Sequence, residues 1–117
     1  LLCRAARSWV DAQAFCATLG RDLALPSSSP DNSQWSSLAA GAWPPMTDQG
    51  QWWIGLTDAS TEGDWRDVHG VAPTFLAWGS SPSEDVSKNC AALNGPAEGA
   101  WRDLDCEEAR FFLCGPE

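Results

Sequence analysis

Five cysteines, Cys3, Cys16, Cys90, Cys106 and Cys114, constrain this chain more than any other feature. No two form a CxxC pair and there is one histidine, His69, so the ligand spacing of a zinc finger is absent. In a short acidic chain the set fits an oxidising compartment, with two bridges and one thiol left over. The competing arrangement is five reduced cysteines buried as small hydrophobes in a cytosolic protein. Within 117 residues there is room for one core, since a domain of that size buries roughly two thirds of its unfolded surface.

The partners are bounded by charge. Seven Lys and Arg against 16 Asp and Glu give a net charge of -9, which repels phosphate backbones and anionic membranes and excludes nucleic acid as a partner. No run approaches the ~18 apolar residues of a spanning helix, so no membrane insertion by this fragment is expected. Eight Trp and a 44% hydrophobic share supply enough apolar surface to offset the entropy of ordering. Beginning at Leu1 without a Met or a signal-like stretch, residues 1–117 read as a single domain cut from a larger protein.

Trp9, Ala12, Cys16 and Leu19 recur at helical spacing, Ser8 with Asp11 makes a capping-box-like start, and Gly20 ends the helix. A Ser/Pro turn over 26–30 leads to a second helix with Ser29 as its cap, Pro30 in its first position and Trp35, Leu38 and Ala39 as its buried stripe. Beyond Gly41, Gly and Pro punctuate everything up to Lys88, and only short strands fit: Trp52 to Leu56, then Cys90 to Leu93 and Ala109 to Cys114. A loop-rich middle of this length is where a ligand should be sought.

Several motifs follow one another in a telling order. They are Trp9, Ala12 and Cys16, then Gly20 and Leu23-Ala24, then Trp53-Ile54-Gly55-Leu56, Asp58, Glu62-Gly63 and Trp65. Trp78, Pro82, Asn89-Cys90, Trp101, Asp103, Cys106, Phe112 and Cys114 complete the set. Over nearly its whole length the sequence resembles a C-type lectin-like domain. The resemblance implies an α+β, disulfide-stapled fold in which two helices flank two small antiparallel sheets, with close termini and a long irregular loop region that carries the ligand site. It also implies the bridges Cys16–Cys114 and Cys90–Cys106, worth roughly 4.7 and 3 kcal/mol by the chain-entropy estimate. Cys3 has no partner in that scheme. It is left to an inter-chain or out-of-fragment disulfide, or to a free and inert thiol.

In sugar-binding members of that family one calcium is held by a Glu-Pro-Asn or Gln-Pro-Asp triplet, by a Glu just before the third cysteine, and by a Trp-Asn-Asp triplet. Here the corresponding residues are Ser81-Pro82-Ser83, Lys88 and Trp101-Arg102-Asp103, so Asp103 alone remains of five ligands. Calcium takes six to eight oxygens, for which serine hydroxyls are poor substitutes. A guanidinium roughly 4 Å from a divalent ion costs several kcal/mol at an effective dielectric near 20, unless Arg102 and Lys88 turn aside. Ser81, Ser83, Lys88, Arg102, Asp103 and Trp78 are the candidate ligand-binding residues. A second, structural calcium of some relatives is better preserved: Asp58 and Glu62 match, and Glu84, Asp85 and Asn89 could complete the set, so one structural calcium is the candidate cofactor. The same acids also suit a solvated loop.

The expected function is therefore an extracellular recognition module, secreted or in the ectodomain of a membrane protein, binding a protein or glycan ligand on the loop surface without the primary-site calcium. A calcium-dependent carbohydrate-binding lectin is the alternative, and sugar stacking on an exposed Trp or an ice- or mineral-facing surface are further ones. Trp65 and Trp78 match core positions of the family, whereas Trp43 is freer to meet a ligand. Catalysis is not expected. His69 stands alone in a Gly-flanked turn, Glu107-Glu108 reads as a solvent-facing turn, and no GxSxG, HExxH or phosphate-cradling loop is present.

Overall fold

The computed structural model describes residues 2–42, 51–59, 61, 63–73, 75–78, 88–94 and 100–115. Along the chain these form β1 (Leu2–Arg7), α1 (Trp9–Thr18), β2 (Asp22–Leu23), α2 (Ser29–Ala42), β3 (Gln51–Thr57), β4 (Arg66–Asp67), β5 (Cys90–Asn94), β6 (Ala100–Leu104) and β7 (Arg110–Gly115). The expected first helix is present with its expected ends. Ser8 Oγ accepts from the Asp11 backbone N–H at 3.3 Å, Ala12 and Cys16 are fully buried, and Gly20 closes the helix at φ +72°, a conformation that suits a residue without Cβ.

In α2 the cap lies one residue earlier than the sequence suggests. Ser28 Oγ accepts from Asp31 N–H at 3.2 Å while the Asp31 carboxylate accepts from Ser27 N–H at 2.9 Å. Ser27, Ser28 and Ser29 offer three equivalent hydroxyls, and the returning bond from Asp31 selects the middle one. Trp35 is buried as expected, and the side chains of Leu38 and Ala39 lie outside the described ones.

The strands run in the order β1-β7-β3-β5-β6, with β4 added to β3 and β2 to β7. All pairs are antiparallel except β3 and β7, which run parallel through Trp52↔Phe111 and Trp53↔Phe112. The antiparallel pairing expected holds in the other pairs, and this parallel pair is a further feature. Strands so far apart in sequence are not tied by a hairpin, so either direction is open to them. Strands β1, β2, β4 and β6 are also additions to the sequence reading. Because β1 pairs with β7, through Leu2↔Leu113 and Arg7↔Arg110, the two ends of the described chain lie side by side, as the resemblance implies.

Alternation along β3 divides the interior into two cores. Trp52, Ile54 and Leu56 pack with Ala24, Trp35, Ala91, Leu93, Trp101 and Leu113. Trp53 faces the other way, toward Ala12, Cys16, Ala92, Phe112 and Cys114. Both implied bridges are formed, Cys16–Cys114 across 98 residues and Cys90–Cys106 across 16, with Cα separations of 5.5 and 5.2 Å. The first ties α1 to β7, and the second ties the start of β5 to the turn after β6.

At Gly55 the strand comes so close to the chain beside β2 that a Cβ there would lie 2.6 Å from the Leu23 carbonyl oxygen. The same approach lets Gly55 N–H donate to Ala24 O at 2.8 Å. Gly55→Ala should therefore lower stability by about 1–3 kcal/mol, since the opposing atom is backbone and cannot swing away. A urea-unfolding midpoint equal to the parent's would contradict this close contact.

Candidate functional site

Beyond β4 the described part of the long loop region is anchored by aromatic rings. Trp101, fully buried on β6, meets Trp78 edge-on at 6.1 Å and Phe75 at 5.8 Å, and Trp78 in turn meets Trp65 at 4.9 Å. Trp101 N–H donates to Ala77 O at 2.8 Å, which fixes the loop backbone against the strand. Trp101 itself is held by its indole N–H, which donates to Asn32 Oδ1 on α2 at 2.8 Å. Buried indoles need such an acceptor. Trp9 finds Ile54 O and Trp53 finds Arg7 O in the same way.

Trp78 is therefore half-buried in a stack, consistent with the core position it matches, although it was also a ligand candidate. On β6 Trp101 and Leu104 are buried in different cores, Asp103 is half-buried and Arg102 is exposed. Register with β5 is regular, Ala91↔Asp103 and Ala92↔Arg102, so Asp103 shares the Trp101 face while Arg102 leaves on the opposite one. What Arg102 does at this site is fail to supply the oxygen of an Asn. Lys88 is half-buried just before Asn89. Ser81, Ser83, Glu84, Asp85, Glu62 and Trp43 lie outside the described residues.

Where β3 ends, Asp58 is 2% exposed. Its Oδ2 accepts from Gly63 N–H at 2.7 Å, its own N–H donates to Asn89 O at 3.1 Å, and its Oδ1 is buried with no hydrogen-bond partner among the described residues. Thr57 Oγ1 also donates to Asn89 O, so two of the five candidate calcium ligands, Asp58 and Asn89, are brought together through backbone contacts where β3 ends and β5 begins. A buried carboxylate oxygen left without a partner is costly unless something positive meets it. Among the described residues no three His, Cys, Asp or Glu side chains gather closely enough to hold a metal. Of the candidate calcium ligands the described residues include Asp58 and Asn89, whose side chains offer oxygen donors of the kind calcium takes.

A half-open groove of about 430 Å³ lies elsewhere, between β2, the start of α2 and the end of β7, lined among others by Asp22, Leu23, Asp31, Trp35 and Gly115. None of the predicted site residues lines it. His69 also departs from its reading as a solitary turn residue, because its Nε2 lies 2.7 Å from Asp22 Oδ2. The two residues are 47 apart in sequence, so no local pattern could have shown the pair.

A family model described as "Lectin C-type domain" matches residues 5–115. The chain belongs to the C-type lectin domain family. It is 33% identical over 104 residues to the C-type lectin domain family 3 member A homolog of Xenopus laevis, covering 89% of this chain and 52% of that protein. To a tetranectin-like protein of Carcharhinus perezii it is 30% identical over 115 residues, covering 97% of this chain and 68% of that one. Among solved structures, human lithostathine superposes with a TM-score of 0.85 at 25% identity, covering 97% of this chain and 87% of that chain. The chain spans about half the length of several of the curated relatives it matches.

Members of this family are binding modules, and in this lectin-family domain the loop surface rests on the Trp101 anchor. Among the described residues no helix is long and apolar enough to cross a membrane. If Asn32 sets that anchor, Asn32→Leu should cost about 1–3 kcal/mol by leaving a buried indole donor unmade, and the Trp65 and Trp78 fluorescence should become more accessible to quencher. Unchanged quenching would show that the loop is held without it.

Proposed function

We propose that the domain is an extracellular recognition module that takes a protein or glycan ligand on the surface formed by its long loop region and the exposed side of β6, without a calcium at the family's primary sugar site. The observation that carries this reading is β6 itself. Asp103 stands where the family's triplet has its Asp, but its neighbour Arg102 is an exposed cation directed to the other face. One carboxylate cannot replace a set of six to eight oxygens. An exposed Arg beside a rigid strand is instead the kind of group that anchors protein interfaces. Net charge -9 favours a partner with a basic surface, because complementary fields speed encounter.

The same reading gives calcium a structural role. Asp58, with its unpartnered buried oxygen, would hold it together with Asn89, and from the sequence Glu62 and Glu84 are the further ligands. Bound there, calcium supplies the positive charge that Asp58 Oδ1 lacks and fastens the end of β3 to the start of β5. Calcium should then raise the melting temperature of the parent and not that of Asp58→Ala. A rise that persists in the variant would place the ion elsewhere.

Glycan-array binding of the oxidised domain, run with calcium and with a chelator, tests the main reading. Binding that is unchanged by chelator, or a protein partner captured without calcium and lost in Arg102→Ala, is the expected result. Glycan hits abolished by chelator would overturn it and make the domain a calcium-dependent lectin.

A further inference from the structure

His69 sits at the tip of a tight turn that follows β4. Asp67 Oδ1 accepts from the backbone N–H groups of His69 (2.8 Å) and Val71 (2.9 Å), and Gly70, at φ +81°, donates its N–H to Asp67 O at 3.0 Å. The turn thereby aims the imidazole across the molecule. Nε2 lies 2.7 Å from Asp22 Oδ2, and Asp22 Oδ1 accepts from Gln13 Nε2 at 2.9 Å. Gln13 Oε1 in turn accepts from Leu23 N–H at 2.8 Å. Each amide atom of Gln13 is thus committed to one partner, and Asp22 is held in place before His69 reaches it. An ion pair with one partner already ordered loses less side-chain entropy than a pair of free surface chains.

We propose that the His69–Asp22 contact is a proton-operated latch that fastens the turn Asp67–Gly70, and with it the segment leading into Phe75–Trp78, to α1 and β2, and that loosens as the imidazole loses its proton. The latch concerns how the loop is held and stands whether or not the ligand reading above is correct. Among the described residues the charged groups around it are few. Asp22 faces His69 from β2, with Arg21 before it in the chain, and Asp67 faces it from its own turn. Arg66 is turned back on that turn, its Nε on Asp64 Oδ2 at 3.1 Å and its Nη1 donating to Gly70 O at 3.2 Å. Asp31, which lines the same groove as Asp22, accepts from Ser27 N–H.

The hydrogen bond to Asp22, then the Asp22 charge and more weakly that of Asp67, raise the His69 pKa above its ordinary 6.5. Bonds from Gln13 and His69 lower that of Asp22 below 3.8. A raised histidine stabilises the folded latch fully below 6.5 and stops doing so as pH climbs through its folded value. A depressed aspartate contributes above 3.8 and stops as pH falls through its own folded value. The latch is therefore tightest between 3.8 and 6.5, and the loop is held more firmly in mild acid than above neutrality.

Because His69 is the single histidine of the chain, its imidazole can be followed by NMR without assignment ambiguity. The test pairs that titration with amide hydrogen exchange of Asp67–Val71, corrected for intrinsic rates, in the parent, Asp22→Asn and His69→Gln. In the parent the midpoint should lie above 6.5 and fall in Asp22→Asn. The opening constant of the turn should rise roughly two- to threefold between about pH 5.5 and about pH 8.5, and both variants should lose that dependence. A parent midpoint at or below 6.5, or a pH dependence equal in all three proteins, would overturn the latch.

Discussion

The backbone of β3 is the element on which the rest of this domain depends. It is hydrogen-bonded to β7 on one side and to β5 on the other, with β4 added near its end, and every side chain from Trp52 to Leu56 is buried. Trp52, Ile54 and Leu56 build one core and Trp53 the other, so removing the strand would leave α1 and the loop region with nothing to pack on. At roughly 25 cal/mol per Å² of apolar surface, burial of these side chains outweighs any polar contact in the molecule. The glycine within the strand is where the backbone at Leu23 and Ala24 closes on it, and the Cys16–Cys114 bridge locks α1 and β7 around the second core.

From this frame the loop surface follows. Residue Trp101 belongs to a strand two places from β3, and its ring carries Phe75 and Trp78, so the described loop residues Phe75–Trp78 are tied to the core through aromatic contacts and one indole hydrogen bond to Asn32. Asp58 follows β3 and meets Asn89 just before β5 because Thr57 pairs with Cys90. The calcium candidates and the ligand strand are thus positioned by the same sheet. Arg102 and Asp103 part company for the simplest reason, that neighbours on a strand face opposite sides.

Elements whose stability comes from their own apolar pattern could be read from the sequence. Helix α1 shows its cap, its buried positions and its stop, and β3, β5 and β7 are short apolar runs. What could not be read depends on partners far along the chain. β1 contains two arginines and no alternation, and it is a strand because β7 offers it an edge. β6 was read as a ligand triplet, and its pairing with β5 shows only in the register. The placement of α2's cap turned on a bond from Asp31 that three adjacent serines left undecided. Asp58 and Asn89 were identified through the family resemblance, and their meeting is seen in the fold. The His69–Asp22 pair had no signal at all in the sequence.

Counting bound calcium tests the central claim most directly, that the loop surface works without an ion at the primary sugar site. Equilibrium dialysis of the oxidised domain and of Asp103→Ala at saturating calcium gives the number of ions in each. The account predicts no more than one ion per domain, with the number unchanged by Asp103→Ala. A calcium that Asp103→Ala removes would contradict it, because the one carboxylate retained from the family's triplet would then be holding the ion that this domain is argued to do without.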